Sequence, residues 1–303
     1  MTVDLMPSGA ELPAGFAMPA AARIAAAFLL GYRGNTRAAY AADLAHFGRW
    51  CAHLDVEVLS CGRAHLDAYV DQQSRDGAAP ATIRRRVSAI AGFFSYALDE
   101  GLIQRNPAAR VRRPSAGDNV QSTGLTPAEA AALIAAAEEH STRAAVIVLL
   151  SLLLGLRVSE LCSATVADLS HQRGHRVLTV TRKGGKRQTM AVPPRAAAAI
   201  DDYLGGRAEG PLLVTATGRG MDRHAVWRLI RLLAGRAVPH LAHTLHPHDL
   251  RHTCATLALD AGATLRDVQD LLGHADPRTT RRYDRARFSL DRSPSHQLAA
   301  LLS

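Results

Sequence analysis

The sequence predicts a two-domain, mainly α-helical protein with a small β-sheet confined to its second domain. Three observations carry this. The chain has 303 residues, 48% of them hydrophobic, which is enough for two cores rather than one minimal core. Apolar residues recur at spacings of three and four over most of the length, and strand patterns are restricted to Arg176–Thr181 and Gln188–Val192. Between Asn106 and Thr126 the composition turns to Pro, Gly, Ser, Asn and Arg, as in a linker.

Taken in order, residues 1–22 are rich in Ala, Pro and Gly and read as a flexible tail. A first domain spans residues 23–112. Its first helix starts at Asn35 or Thr36 as cap, with Tyr40, Leu44, Phe47, Cys51 and Leu54 on one face. Leu66, Tyr69 and Val70 mark a shorter second helix. Thr82 opens a third, with a stripe of Ile83, Val87, Ile90, Phe94 and Leu98 and a stop at Gly101. Residues 113–124 are the linker. The second domain, 125–303, begins at a helix with Thr126 as cap, Pro127 in the first turn and Glu129 as reciprocal partner. Ala144–Leu161 reads as one buried helix. The two strands follow, joined by a hairpin turn at Lys183-Gly184-Gly185-Lys186. Helices are expected around Ala196–Leu204, Arg223–Leu233, His248–Ala261 and Leu265–Leu272, and a short one from Asp276-Pro277 onward.

The net charge is +9, unevenly divided: residues 1–112 carry 12 basic and 10 acidic side chains, residues 113–303 carry 24 and 17. Such an excess favours a polyanion, either nucleic acid or an anionic surface, and the second domain should exert the stronger field. No basic amphipathic helix with a wide apolar face supports a membrane surface. The longest apolar run, Ala144–Leu156, is too short to span a bilayer. Cys51, Cys61, Cys162 and Cys254 form no CxxC pair, so they read as reduced thiols of a cytoplasmic protein.

Four places carry chemistry. Arg157 ends an apolar run, where a guanidinium needs an anionic partner: Glu160 or another acid, or a phosphate matched by its planar fork. Of 36 basic residues only Lys183 and Lys186 are lysine, and both lie in the hairpin turn. Lysine, unlike arginine, can be tuned to give up its proton, so this turn suits a proton donor, against the simpler reading of a solvated turn. His248 and Arg251, three apart at a helix start, share a face beside an N-terminus that attracts phosphate. His240, His243, His246, His248 and His252 crowd together, but no cysteine or glutamate with ligand spacing completes a metal set. Finally Gly273 ends a helix, His274 follows, and Tyr283 stands among Arg281, Arg282 and Arg285. That positive field favours phenolate, although an isolated tyrosine more often only packs its ring.

In order and spacing, Gly155-Leu156-Arg157-Val158-Ser159-Glu160-Leu161, Lys183, His248-x-x-Arg251-His252, Leu272-Gly273-His274 and Tyr283 resemble the tyrosine site-specific recombinase (phage integrase) family. The first domain is similar to the family's helical, SAM-like core-binding domain through Asn35-Thr36-Arg37-x-x-Tyr40, Thr82-Ile83-Arg84-Arg85-Arg86 and Gly101–Ala108. The resemblance implies a mixed α/β catalytic domain at 125–303 and a catalytic set of Arg157, Lys183, His248, Arg251, His274 and Tyr283, with Glu160 fixing Arg157. It implies strand exchange through a 3′-phosphotyrosine, without cofactor, ATP or metal. It also implies double-stranded DNA as partner and a tetramer on two sites, with an apolar tail at Leu298, Ala299, Leu301 and Leu302 that packs on a neighbouring copy. Arg37, Arg84, Arg85, Arg86 and Lys186 are candidate DNA contacts. The absence of a separate arm-binding domain leans toward a simple, Xer-like recombinase. Two other readings are open: a type IB topoisomerase, with the same chemistry in a monomer, and a DNA-binding regulator that has lost catalysis. Covalent capture on a nicked site separates the second from the first two, and strand exchange separates a recombinase from a topoisomerase.

Overall fold

Two stretches of helical periodicity, each with its own apolar stripe, fold into two units, residues 1–119 and 120–303. The computed structural model describes residues 19–115, 124–182 and 184–273.

The first unit is all helical among its described residues: α1 (Pro19–Leu30), α2 (Gly34–His53), α3 (Arg63–Arg75) and α4 (Pro80–Asp99). α1 is absent from the sequence reading. Ala21, Ala22, Ala25, Phe28 and Leu29 are buried against the core, so residues 19–22 belong to a packed helix rather than to a tail. An Ala-rich segment carries little periodic signal, and it is tertiary contact that makes it helical here. α2 starts at Gly34 with Arg33 as cap residue, so Asn35 and Thr36 lie inside the first turn instead of capping it. α4 likewise starts two residues before Thr82, with Pro80 in the first turn where its missing N–H costs nothing. Leu44, Phe47, Cys51, Ile83, Val87, Ile90 and Phe94 are buried as their spacing requires. Leu54 and Leu98 are exposed, because both stripes drift off the core face at the helix ends. Cys51 and Cys61 meet in this core with their sulfurs 3.6 Å apart, both as free thiols.

The second unit opens with α5 (Pro127–His140), whose capping box is formed: the Thr126 N–H donates to Glu129 Oε2 at 2.7 Å and the Glu129 N–H donates to Thr126 Oγ1 at 3.3 Å. α6 (Thr142–Leu153) is buried from Ala144 to Leu152 and packs against α5 and two later helices, α8 (Pro194–Leu204) and α10 (Pro247–Asp260). The expected single helix to Leu161 is broken. Gly155 adopts φ +58°, a left-handed conformation that stops α6, and the chain restarts as α7 (Val158–Ser163) with Arg157 as cap residue. The sheet has three antiparallel strands in the order β1 (Leu169–Gln172), β2 (His175–Thr181), β3 (Arg187–Ala191). Leu178 faces Met190 and Val180 faces Gln188 across the central pair. β1 is missing from the sequence reading because Leu-Ser-His-Gln has no apolar alternation and no buried side chain. The chain continues through α9 (Arg223–Ala237) and α10 to α11 (Leu265–Leu272). No described helix is long and apolar enough to cross a membrane.

Candidate active site

The break at Gly155 determines where Arg157 points. With Arg157 at the helix cap, its own N–H donates to Glu160 Oε2 at 2.8 Å and its Nη1 donates to Glu160 Oε1 at 2.6 Å. The Arg157 side chain keeps 33% exposure while Glu160 is 4% exposed, so the pair is buried on one side and open on the other. The ion pair to Glu160 is therefore real, and it leaves an accessible guanidinium edge.

Arg251 enters from α10 and is the largest fully buried side chain among the described residues, at 1% exposure. Its Nη1 donates to the Gly155 carbonyl at 2.6 Å, its Nη2 donates to the Leu272 carbonyl, and Nη1 lies 3.9 Å from Glu160. One arginine thus ties the α6–α7 turn to the end of α11. A third arginine joins them from the last residue before the hairpin turn. Arg182 donates to Glu160 Oε2 at 2.6 Å, to the Leu271 carbonyl at 2.8 Å and to Gln188 Oε1 at 3.0 Å. Gln188 in turn donates to the Asp270 carbonyl at 2.7 Å. The last carbonyls of the helix are met in sequence from outside it: Asp270, which also accepts from the Gly273 N–H, by Gln188, and Leu271 and Leu272 by Arg182 and Arg251. Two cations at that end also complement the helix dipole. Gly273 continues in the left-handed region (φ +62°), and a Cβ there would come within 2.9 Å of both Arg182 Nε and Gln188 Oε1. Three guanidinium groups around one carboxylate make a strongly electropositive corner.

His248 stands at the second position of α10, beside this corner. Its ring lies edge-to-face with His252 at 4.6 Å between centroids. Although one edge is open to solvent, partial desolvation first, and then the Arg251 and Arg157 charges, hold its pKa below the ordinary histidine value, with Asp249 opposing them. The ring is therefore neutral near pH 7 and can accept a proton. A hollow of 420 Å³ adjoins it, lined by Val158, Arg223, Trp227, His246 and His248. A larger hollow of 790 Å³ lies in the first unit along residues 59–63 and 102–110, and contains none of the expected catalytic residues. The crowded histidines diverge: His240 pairs with Glu129 at 2.9 Å and His243 lies 3.4 Å from Arg231. Among the described residues no group of His, Cys, Asp and Glu could hold a metal ion.

Arg157, Glu160 and Arg251 are thus brought together, with His248 beside them. Lys183, His274 and Tyr283 lie outside the described residues. Lys186 is exposed in the hairpin turn, its carbonyl accepting from the Arg182 N–H at 2.7 Å. In the first unit Arg84 is exposed and donates to the Pro114 carbonyl at 3.4 Å, and Arg37 is half-buried. Arg85 and Arg86 are partly committed inward. Arg85 pairs with buried Asp43 while keeping 44% side-chain exposure, and Arg86 donates to Gln73 at 2.7 Å with 20% exposure. Arg182 is the site residue that the sequence reading missed. In an arginine-rich chain nothing but its position next to the rare lysine distinguishes it.

The model of the Phage integrase family matches residues 124–289, and that of the Phage integrase N-terminal SAM-like domain matches residues 28–101. The chain is 33% identical over 264 residues to a tyrosine recombinase XerC of Xylella fastidiosa (strain M23), covering 85% of this chain and 88% of the relative. It is 33% identical to a tyrosine recombinase XerD of Pseudomonas putida, covering 84% and 87%. Among solved structures it is similar to a Tn1549 transposon integrase in complex with transposon right end DNA (TM-score 0.74, 18% identity, 93% of this chain and 99% of the other). It is also similar to the XerH site-specific recombinase bound to palindromic difH substrate (TM-score 0.72, 17% identity, 96% and 91%). At those identities the likeness concerns the fold.

Proposed function

The chain belongs to the phage integrase family of tyrosine recombinases, enzymes of site-specific DNA recombination, and from that premise we propose that it cuts and rejoins DNA through a covalent bond at Tyr283. The phenol oxygen of Tyr283 attacks the scissile phosphorus, forming a 3′-phosphotyrosine and releasing a 5′-hydroxyl. His248, neutral near pH 7, takes the phenolic proton, and Lys183 protonates the departing 5′ oxygen. Arg157 meets the non-bridging oxygens with its accessible edge, and Arg251, buried beside it, adds its positive charge to neutralise them. His274 donates a hydrogen bond to the phosphate, and Glu160 fixes Arg157. One phosphate ester is exchanged for another, so rejoining needs no ATP. The guanidinium groups, lysine and histidines supply the charge stabilisation that a metal would otherwise provide.

The observation that carries this reading is the convergence of Arg157, Glu160, Arg251 and His248 on one corner, from segments about a hundred residues apart in sequence. On this reading residues 23–112 bind the core of the recombination site and residues 125–303 perform the chemistry, joined by 113–124. The partner is double-stranded DNA, and four copies assemble on two sites. Arg37, Arg84 and Lys186 contact DNA. Arg85 does so with its open edge, whereas Arg86 serves mainly Asp43 and Gln73.

The experiment is covalent capture on a nicked recombination site, whose short 5′ fragment diffuses away after cleavage. The wild-type chain should form a denaturant-resistant adduct, and Tyr283→Phe should bind the same duplex and form none. Binding with no adduct from the wild-type chain would remove catalysis from the reading. Supercoil relaxation without strand exchange would favour topoisomerase-like action.

A further inference from the structure

Arg182 is a buried cation with no part in the chemistry set out above. Its side chain is 4% exposed, and among the described residues its polar contacts are Glu160 Oε2 at 2.6 Å, the Leu271 carbonyl at 2.8 Å, Gln188 Oε1 at 3.0 Å and Met190 Sδ at 3.2 Å. Burying a guanidinium is costly unless it is fully paired, yet its anionic partner is already bound to Arg157. Glu160 divides its two oxygens between the two guanidinium groups, Oε1 to Arg157 and Oε2 to Arg182, with Oε2 also accepting from the Arg157 main-chain N–H. That division has an electrostatic result. Arg157, Arg182 and Arg251 around one carboxylate carry a formal charge of +2, so the Arg157 edge that faces solvent stays positive. Without the Arg182 charge, the carboxylate would be balanced by Arg157 and Arg251 alone, and the Arg157 edge would be less positive. Arg182 also holds the carbonyl two residues before Gly273, and the missing Cβ of Gly273 makes the space its guanidinium occupies.

We propose that Arg182 is a positioning residue for strand cleavage. By sharing Glu160 it keeps Arg157 electropositive toward the scissile phosphate, and by capping α11 at Leu271 it holds the Gly273 turn against the same carboxylate. The inference rests on the reading of Arg157 as a phosphate ligand.

The test exploits the charge of the phosphate itself. Single-turnover cleavage is measured at saturating DNA on two nicked duplexes that differ only at the scissile position. One carries the ordinary phosphodiester, and the other a methylphosphonate, in which a methyl group replaces a non-bridging oxygen and removes the negative charge. A residue that acts through positive charge matters less on the neutral substrate, whereas a folding defect lowers both rates in proportion. Arg182→Met should lose about tenfold to a hundredfold on the phosphodiester, the scale of one transition-state charge contact. Its rate relative to wild type should recover by about tenfold on the methylphosphonate. Arg182→Lys keeps the charge without the fork and should stay within about fivefold of wild type on the phosphodiester. Equal proportional losses on both substrates, or a lysine variant as impaired as the methionine one, would overturn the proposal. If Arg182→Met melts below the assay temperature, Arg182→Gln replaces it with the same expectations. Arg157→Ala serves as the control. If it gains nothing on the methylphosphonate, its role as phosphate ligand fails and the inference falls with its premise. If Arg157→Ala recovers and the Arg182 variants do not, only the inference fails.

Discussion

Glu160 is a single carboxylate shared by arginines from three segments, and this sharing sets the electrostatics around it. Truncating one partner of such a group leaves charge buried without compensation, which is why each member matters beyond its own contacts. His248 feels the same field. Its pKa is lowered by partial desolvation and by Arg251 and Arg157, so the neutral ring persists to lower pH than for an ordinary histidine. The acidic limb of the cleavage rate should therefore lie below pH 6.5, as read from a single-turnover pH profile, and should shift upward toward that value in Arg157→Ala. Stability has the matching sign. As pH falls below the ordinary value, the unfolded chain takes the proton first, so His248 contributes less to folding in acid than near neutrality. The sequence made Arg157, Glu160, His248 and Arg251 legible through their spacing. Arg182 was not legible, because partnership with Glu160 and Leu271 spans 22 and 89 residues and leaves no local pattern.

Among the elements, the turn between α6 and α7 is the one on which the site depends. Gly155 is left-handed at φ +58°, and a Cβ there would lie 2.5 Å from Leu272 Cδ2 and 3.1 Å from Cys254 Sγ. Gly155→Ala should thus combine backbone strain with overpacking, a destabilisation of about 3 kcal/mol. It should also lower covalent capture, because the Gly155 carbonyl is what Arg251 holds. Chemical denaturation and adduct yield check the two effects. A variant as stable and as active as wild type would show that the turn tolerates a side chain. At this scale the strong periodicities and caps predicted most elements: Thr126-x-x-Glu129 marks the start of α5, and Leu265–Leu272 is α11 to the residue. The failures have local causes. The run from Ala144 is apolar on both sides of Gly155, so hydrophobicity hid the break, and β1 is too short and too polar to show a period of two.

For the whole molecule, recombination between two sites requires copies to act together, and the apolar residues Leu298, Ala299, Leu301 and Leu302 lie outside the described residues. Truncation after Asp291 should lower cooperative assembly on DNA and leave binding of a single copy nearly unchanged. Gel-shift titration reads both, and unchanged cooperativity would reject a role for this segment between copies. The chain by itself determined the family, the helical character of the first unit and the approximate position of most elements. These depend on spacing, capping and local periodicity, which neighbouring residues encode. Only the tertiary structure decided that Arg251 is buried between the Gly155 and Leu272 carbonyls, that Arg182 divides Glu160 with Arg157, and that residues 19–22 join a packed helix. The physical reason is the same in each case. A buried charge or a weakly periodic helix is stabilised by groups far along the chain, and those partners exist only once the fold has brought them into contact.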